Sequence, residues 1–331
     1  MGTRYVPQAT PGSVGSAIAE RVMASLLEIV RRNLPAAKPQ LWENVSRAIA
    51  RRTVLEACRR LRAGWLRQPH VVTILGGDVS LEVVPADAIG RAIFLYGTYE
   101  VAVTKFLQAV LPRGGLFIDV GANTGYHVVV AAKAVGSKGA VHAFEPVDSL
   151  RERLLRNVQR NRFANVTVSD KAVWSRKGSL PFFVDISPDN SVLSSAVLRE
   201  GSQVEPVTVV ATTLDEVASR LDRSVSVVKI DVEGGEKEVL QGASRLLSGR
   251  ARPVLVFESF HVPPLARQLS DTGYEVKLLD YSLRRGLMFL PVGREAARAS
   301  AAYEPPNYAA IPRDWGRGSW KDITGSHRAA G

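Results

Sequence analysis

The sequence predicts an α/β fold: a mostly parallel sheet covered by helices on both faces, with a helical extension ahead of it. Two observations predict it. From Leu116 onward, short apolar runs alternate with stretches of helical period. The runs are continuous rather than alternating, as strands buried on both faces require. The length of 331 residues and the 46% hydrophobic content suit one large folded domain with additions, or two domains, and exclude wholesale disorder.

The elements follow in order. Residues 1–13 read as a flexible lead. Ile18, Val22, Leu26, Ile29 and Val30 recur at helical spacing until Pro35 stops that helix. A second helix is expected from Leu41 to Leu66, with Arg47, Arg51, Arg52, Arg59, Arg60 and Arg62 on its outer face. Val71–Leu75 and Ser80–Val84 flank Gly76-Gly77-Asp78 as a hairpin. A helix is expected over Thr98–Leu111, ended by Pro112. Strands then fall at Leu116–Val120, Ala140–Phe144, Val166–Val168, Val225–Ile230 and Pro253–Phe257. The helices between and after them are Tyr126–Val135, Ser149–Asn161, Leu214–Ser219, Glu236–Leu247 and Pro264–Asp271. Residues 171–211 read as β-rich and irregular. Tyr274–Leu279 and Leu287–Leu290 close the pattern as strands. The expected boundaries are a basic extension over 1–70, the α/β domain over 71–291 and a weakly ordered tail over 292–331.

Charge and cysteine content narrow the class. Residues 1–70 carry 12 Lys+Arg against 4 Asp+Glu, whereas residues 71–291 carry 25 against 24. A nucleic-acid substrate calls for a basic path along the domain that processes it, so none is expected here. The basic extension is left to contact a membrane surface or a protein partner. The single cysteine, Cys58, excludes an internal disulfide and a cysteine metal cluster. The first residues lack a signal-peptide core, and no apolar run approaches the length of a membrane span, so a cytoplasmic location is expected.

The first strand runs into Asp119-Val120-Gly121-Ala122-Asn123-Thr124-Gly125-Tyr126. A strand, a Gly-rich turn and a helix N-terminus form a nucleotide site, because glycines let a ligand approach backbone N–H groups. The next strand ends at Glu145, where a carboxylate can accept hydrogen bonds from ribose hydroxyls. A dinucleotide wants glycine at the middle of the turn, and Asn123 stands there. Asp119 would repel a pyrophosphate but suits an ammonium. S-adenosylmethionine, with an ammonium, a sulfonium and an adenosine, is the better match. A nicotinamide-dependent oxidoreductase and a non-catalytic binding module are the rival readings.

The second constellation is Lys229-Ile230-Asp231-Val232-Glu233-Gly234-Gly235-Glu236. Asp231 falls at the carboxyl end of a strand, the edge where open α/β sheets bind ligands. Asp231 and Glu233 alternate on extended backbone and would face the same way. A carboxylate there can take a proton from an acceptor hydroxyl. His261, in Glu258-Ser259-Phe260-His261, is a second candidate base. His127 reads as packing or cofactor-adjacent. Asp231 and Glu233, as carboxylates, leave metal-dependent transfer open, but no His-rich ligand spacing supports it and no metal ligand is assigned.

These residues resemble the FkbM family of S-adenosylmethionine-dependent methyltransferases. The resemblance spans about Thr98–His261. It rests on Tyr99-Glu100, Ile118–Tyr126, Phe144-Glu145-Pro146, Asn157, Asn161, Thr213-Leu214-Asp215, Lys229–Gly234 with Glu236, Arg252-Pro253 and Glu258. It implies a Rossmann-like class I methyltransferase sheet of seven strands, one of them antiparallel near the edge. It implies methyl transfer to a hydroxyl of a sugar, glycolipid or other metabolite. Carried over by position, Asp119, Gly121, Asn123, Gly125, Tyr126 and Glu145 hold the cofactor. Asp170 and Ala172 lie near its adenine, and Asp231 and Glu233 face the transfer site. His127 and Val128 stand where the family more often has aromatic and small polar residues.

Overall fold

The computed structural model describes residues 67–185, 204–259, 262–282, 285–295, 306–316 and 320–325. The basic helices expected before residue 67, and His261, lie outside the described residues. The chain divides into a smaller unit, Met1–Val72 with Val83–Thr98, and a larger one, Thr73–Glu82 with Tyr99–Gly331.

In the smaller unit, α1 (Ala88–Tyr96) begins where the Asp87 side chain accepts the N–H of Gly90 at 2.5 Å, a side-chain cap for an otherwise unsatisfied donor. It ends at Gly97, whose φ of +69° closes the last turn. The expected hairpin is present as β1 (His70–Ile74) and β2 (Val79–Val83), joined through a tight turn at Leu75–Gly77, and most of it, Thr73–Glu82, belongs to the larger unit.

The larger unit opens with α2 (Val101–Val110), β3 (Leu116–Val120), α3 (Tyr126–Val135), β4 (Ala140–Phe144), α4 (Asp148–Arg160) and β5 (Val166–Ser169). A side sheet follows, β6 (Ala172–Val173), β7 (Gly178–Asp185) and β8 (Val204–Thr212), in the order β6-β8-β7. Then come α5 (Leu214–Ser219), β9 (Val227–Ile230), α6 (Glu236–Gln241), α7 (Ser244–Ser248), β10 (Val254–Glu258) and α8 (Val262–Asp271). The unit closes with β11 (Tyr274–Ser282), β12 (Gly286–Leu290), β13 (Asn307–Pro312) and α9 (Trp320–Gly325). One helix was expected over Glu236–Leu247. It breaks at Gly242, the C-cap of α6, where the main chain runs so close to Trp174 that a Cβ would sit 2.1 Å from its carbonyl oxygen.

The main sheet has eight strands among the described residues, ordered β12-β11-β13-β10-β9-β3-β4-β5. The five strands from β10 to β5 pair in parallel. This corrects two expectations. The sheet has eight strands rather than seven, because β12 folds back on β11 as an additional antiparallel edge. The other strand that runs against the rest, β13, comes from the supposed weak tail. It pairs antiparallel with β10 on one side and β11 on the other. All six of its residues are buried. The class α/β, mostly parallel, stands.

Burial explains the continuous apolar runs. Along β3, Phe117 packs into one cluster with Phe106, Val128 and Leu154 from the helices on its side. Its neighbours Leu116, Ile118 and Val120 pack into another with Leu214, Val239, Leu240 and Leu265. With cores on both faces, no position on the strand is left for a solvated side chain. Each such side chain contributes about 2 kcal/mol through burial.

Candidate active site

The register aligns the strand ends. Val120 of β3 pairs with Phe144 of β4 and Ile230 of β9, Phe144 with Ser169 of β5, and Phe257 of β10 with Ile230. Asp119, Glu145, Asp170, Asp231 and Glu258 therefore gather at one carboxyl edge of the sheet. Asp170 is exposed just past β5, and Ala172 is buried in β6. His261 is outside the described residues, so its place at this edge is not part of the structure.

The Gly-rich loop is wound by its own backbone. The N–H groups of Gly121 and Ala122 both donate to the carbonyl of Phe144, at 3.1 and 3.0 Å. Gly121 (φ +79°), Asn123 (φ +49°) and Gly125 (φ +88°) take the left-handed conformation. At Gly121 a Cβ would lie 1.8 Å from the carbonyl oxygen of Asp231, so the loop and the end of β9 are in backbone contact. Glu145 braces the loop: Oε2 accepts the N–H of Asn123 at 2.8 Å and Oε1 that of Val147 at 2.9 Å. Asn157 donates from Nδ2 to the carbonyl of Thr124 at 2.9 Å, which gives this fully buried residue of α4 a direct part in the loop. Burial raises the Glu145 carboxyl to about 7, against the opposing pull of those two backbone donors.

Beside the loop runs a buried charge chain. Lys229 Nζ donates to Asp231 Oδ2 at 2.8 Å and lies 4.0 Å from Asp119 Oδ1. Burial disfavours the Lys229 ammonium, but the carboxylates of Asp231, Asp119 and Glu100 prevail and hold it protonated. Asp119 is 1% exposed, and neither of its oxygens has a hydrogen-bond partner among the described residues. Burial pushes its carboxyl to about 6, with Lys229 opposing and Asp231 adding to the rise.

Asp231 and Glu233 do come together, though not through an extended backbone. Strand β9 stops at Ile230, and Glu233 sits in a turn at φ +57°, followed by Gly234 at φ +106°. A strained non-glycine residue here is tolerated only because its surroundings fix it. Glu258 joins the pair: one carboxylate oxygen from each of Asp231, Glu233 and Glu258 lies within 4.8 Å of the others. Burial first, then Asp231, Glu100 and Glu233, hold the Glu258 carboxyl well above the ordinary range. Glu236 has a plainer task, accepting the N–H of Gly234 at 3.0 Å at the start of α6.

Sequence reasoning assigned no role to several residues here. Glu100 is fully buried in left-handed conformation (φ +42°) ahead of α2. Its Oε1 accepts a hydrogen bond from Asn307 Nδ2 of β13 at 2.7 Å, and its Oε2 lies 3.6 Å from His127 Nε2. Burial and Lys229 keep His127 far below its ordinary value, so the imidazole is neutral and the contact is not an ion pair. Tyr99 stacks edge-on against Tyr126, with centroids 6.0 Å apart. Its phenol is raised by burial and then by Glu100, Asp231, Glu258 and Glu233, which places it in the field of the same acids. Tyr99-Glu100 stood within the family resemblance, so a signal existed. Asn307 sat in a Pro-rich stretch and gave none.

The model described as the Methyltransferase FkbM domain matches residues 119–283. The hexuronic acid methyltransferase AglP of Haloferax volcanii is 30% identical over 188 residues, 56% of this chain and 73% of that protein. The chain belongs to the FkbM methyltransferase family. A protein-L-isoaspartate O-methyltransferase of Methanothrix thermoacetophila shares 38% identity over 58 residues with this FkbM methyltransferase, 18% of the chain and 28% of that relative. Among solved structures, a SAM-dependent O-methyltransferase of Thermotoga maritima aligns at TM-score 0.36 and 13% identity, over 73% of this chain and 77% of that one. Like its family, this FkbM methyltransferase is an enzyme that takes its methyl group from S-adenosylmethionine. No helix among its described residues is long and apolar enough to cross a membrane.

Proposed function

We propose that this protein transfers a methyl group to a hydroxyl oxygen of a sugar or similar polyhydroxylated acceptor. The observation that carries the reading is the Asp231–Lys229–Asp119 chain on the carboxyl edge, against the glycine loop. The relative named for hexuronic acid adds support for a carbohydrate acceptor. The acid-lined edge gives a nucleic acid no basic path.

The residues present fit the cofactor. Asp119, with two buried oxygens that accept nothing from the described residues, suits the methionine ammonium. Gly121, Asn123, Gly125 and Tyr126 form the cradle, and Glu145 retains lone pairs for the ribose hydroxyls beyond the two N–H groups it accepts. Asp170 and Ala172 flank the adenine end. S-adenosylmethionine supplies an electrophilic methyl on a positively charged sulfur. Lys229 pins Oδ2 of Asp231, leaving its other oxygen for the acceptor hydroxyl. Asp231 would take the hydroxyl proton while holding the acceptor oxygen toward the methyl group that S-adenosylmethionine supplies. The protein's main contribution is alignment. Glu233 borders the acceptor, and His261 is the reserve base.

The test is mass analysis of products after incubating the protein with isotope-labelled S-adenosylmethionine and a host metabolite extract. A labelled O-methyl ether on a hydroxylated acceptor is expected. Label found only on nitrogen or carbon would overturn the oxygen assignment.

A pH dependence follows from Glu145. An acid whose folded value stands near 7 rather than 4.5 is neutral in the folded state over that interval. The cofactor-free protein should lose stability as pH rises through it, because the unfolded chain has already released the proton. Ribose recognition wants the anion. Affinity for S-adenosylhomocysteine should therefore weaken by about tenfold from pH 8 to pH 6, as read by calorimetry. A flat profile would mean Glu145 is already ionised or does not touch the ribose.

A further inference from the structure

We propose that Asp231, Glu233 and Glu258 form a binding site for one hard divalent cation, such as Mg2+ or Mn2+, at the acceptor end of the carboxyl edge. Each residue offers an oxygen, and the three oxygens lie within 4.8 Å of one another. Among three ligands of one six-coordinate ion at least two pairs are adjacent, about 3 Å apart around Mg2+, so the three side chains must draw inward to close on an ion. All three donors are carboxylates, which matches hard cations and not zinc or copper.

The second observation is Glu258 itself. It is 7% exposed, and its carboxyl accepts no hydrogen bond from any described residue, yet an oxygen of it is directed at Asp231 and Glu233. With no donor from the described residues, these oxygens are open to a ligand. Lys229 does not supply one, being bound to Asp231 at 2.8 Å with Asp119 on its other side. Glu100 adds further negative charge to the same field. A divalent ion would bring positive charge among these carboxyls. With open coordination positions it would also hold adjacent oxygens of a polyhydroxylated acceptor. The inference deepens the acceptor reading above, and its test reads the ion directly.

The experiment is a titration of the full chain with Mn2+, followed by electron paramagnetic resonance, with and without S-adenosylhomocysteine. One Mn2+ per chain is expected, with a Kd of about 1 mM or tighter. Glu258→Gln should weaken it at least about tenfold, since affinity follows the charge of the ligand set, while S-adenosylhomocysteine affinity is unchanged. Absence of bound Mn2+ at about 5 mM, in protein that binds S-adenosylhomocysteine, would overturn the proposal and make Glu258 a neutral buried acid. Undiminished binding in Glu258→Gln would also overturn it, by placing the ion elsewhere. If Glu258→Gln does not fold, Glu233→Gln, on the turn after β9, must show the same loss. Mn2+ binding without O-methyl products would count against the acceptor reading and leave the ion site standing.

Discussion

Gly121→Val is expected to abolish cofactor binding and to destabilise the fold by several kcal/mol. Two independent obstacles act at this position. The backbone has φ +79°, which a β-branched residue adopts only under strain. The added Cβ would meet the Asp231 carbonyl oxygen at 1.8 Å and its carbonyl carbon at 2.9 Å. Both atoms are main chain at the end of a central strand, so no rotamer change relieves the overlap. The loop must lift away from β9, taking the N–H groups of Gly121 and Ala122 off the Phe144 carbonyl. Isothermal calorimetry with S-adenosylhomocysteine and a denaturant melt check this together. Binding within a few-fold of the parent protein would mean that the cradle lies elsewhere.

Asp231→Asn is expected to lower turnover at least about tenfold while leaving cofactor affinity near the parent value. The variant keeps the shape but loses the proton acceptor. It also takes the charge partner from Lys229, whose side chain is only 4% exposed, leaving it Asp119 at 4.0 Å. Stranding a buried ammonium costs about 3 kcal/mol, so a fall in denaturant midpoint should accompany the loss of rate. Transfer of labelled methyl to the acceptor found in the extract gives the rate. Undiminished turnover would remove Asp231 as the base and turn attention to His261.

The parts of the fold that were legible share a physical cause. Strands β3 and β4 were read to the residue, because each is an apolar run packed on both faces and bounded by a turn. The placement of Asp119, Gly121 and Glu145 at the carboxyl edge was legible because a strand–turn–helix unit is local in sequence. Asp231 and Glu233 were expected to face the same way along extended backbone; their carboxylates do approach each other, but through a turn at φ +57°. What escaped was non-local. Lys229 bridges two carboxylates only because β3 and β9 set Asp119 opposite it. Asn307 reaches Glu100 across 207 residues of chain. Strand β13 itself, Asn-Tyr-Ala-Ala-Ile-Pro behind a proline pair, has the look of a tail. Only its two neighbours, β10 and β11, make it a buried strand.

The placement of β13 sets an order of assembly. Both strands that flank it precede it in the chain, so during synthesis each is finished while the gap between them is still open. Until residues 307–312 emerge, two apolar strand edges face one another without a partner, a condition that invites intermolecular pairing. Strand β13 acts as a keystone, and the anchor it carries for Glu100 arrives with it. Completion of the carboxyl edge thus waits on residues 307–312, some two hundred positions after Glu100.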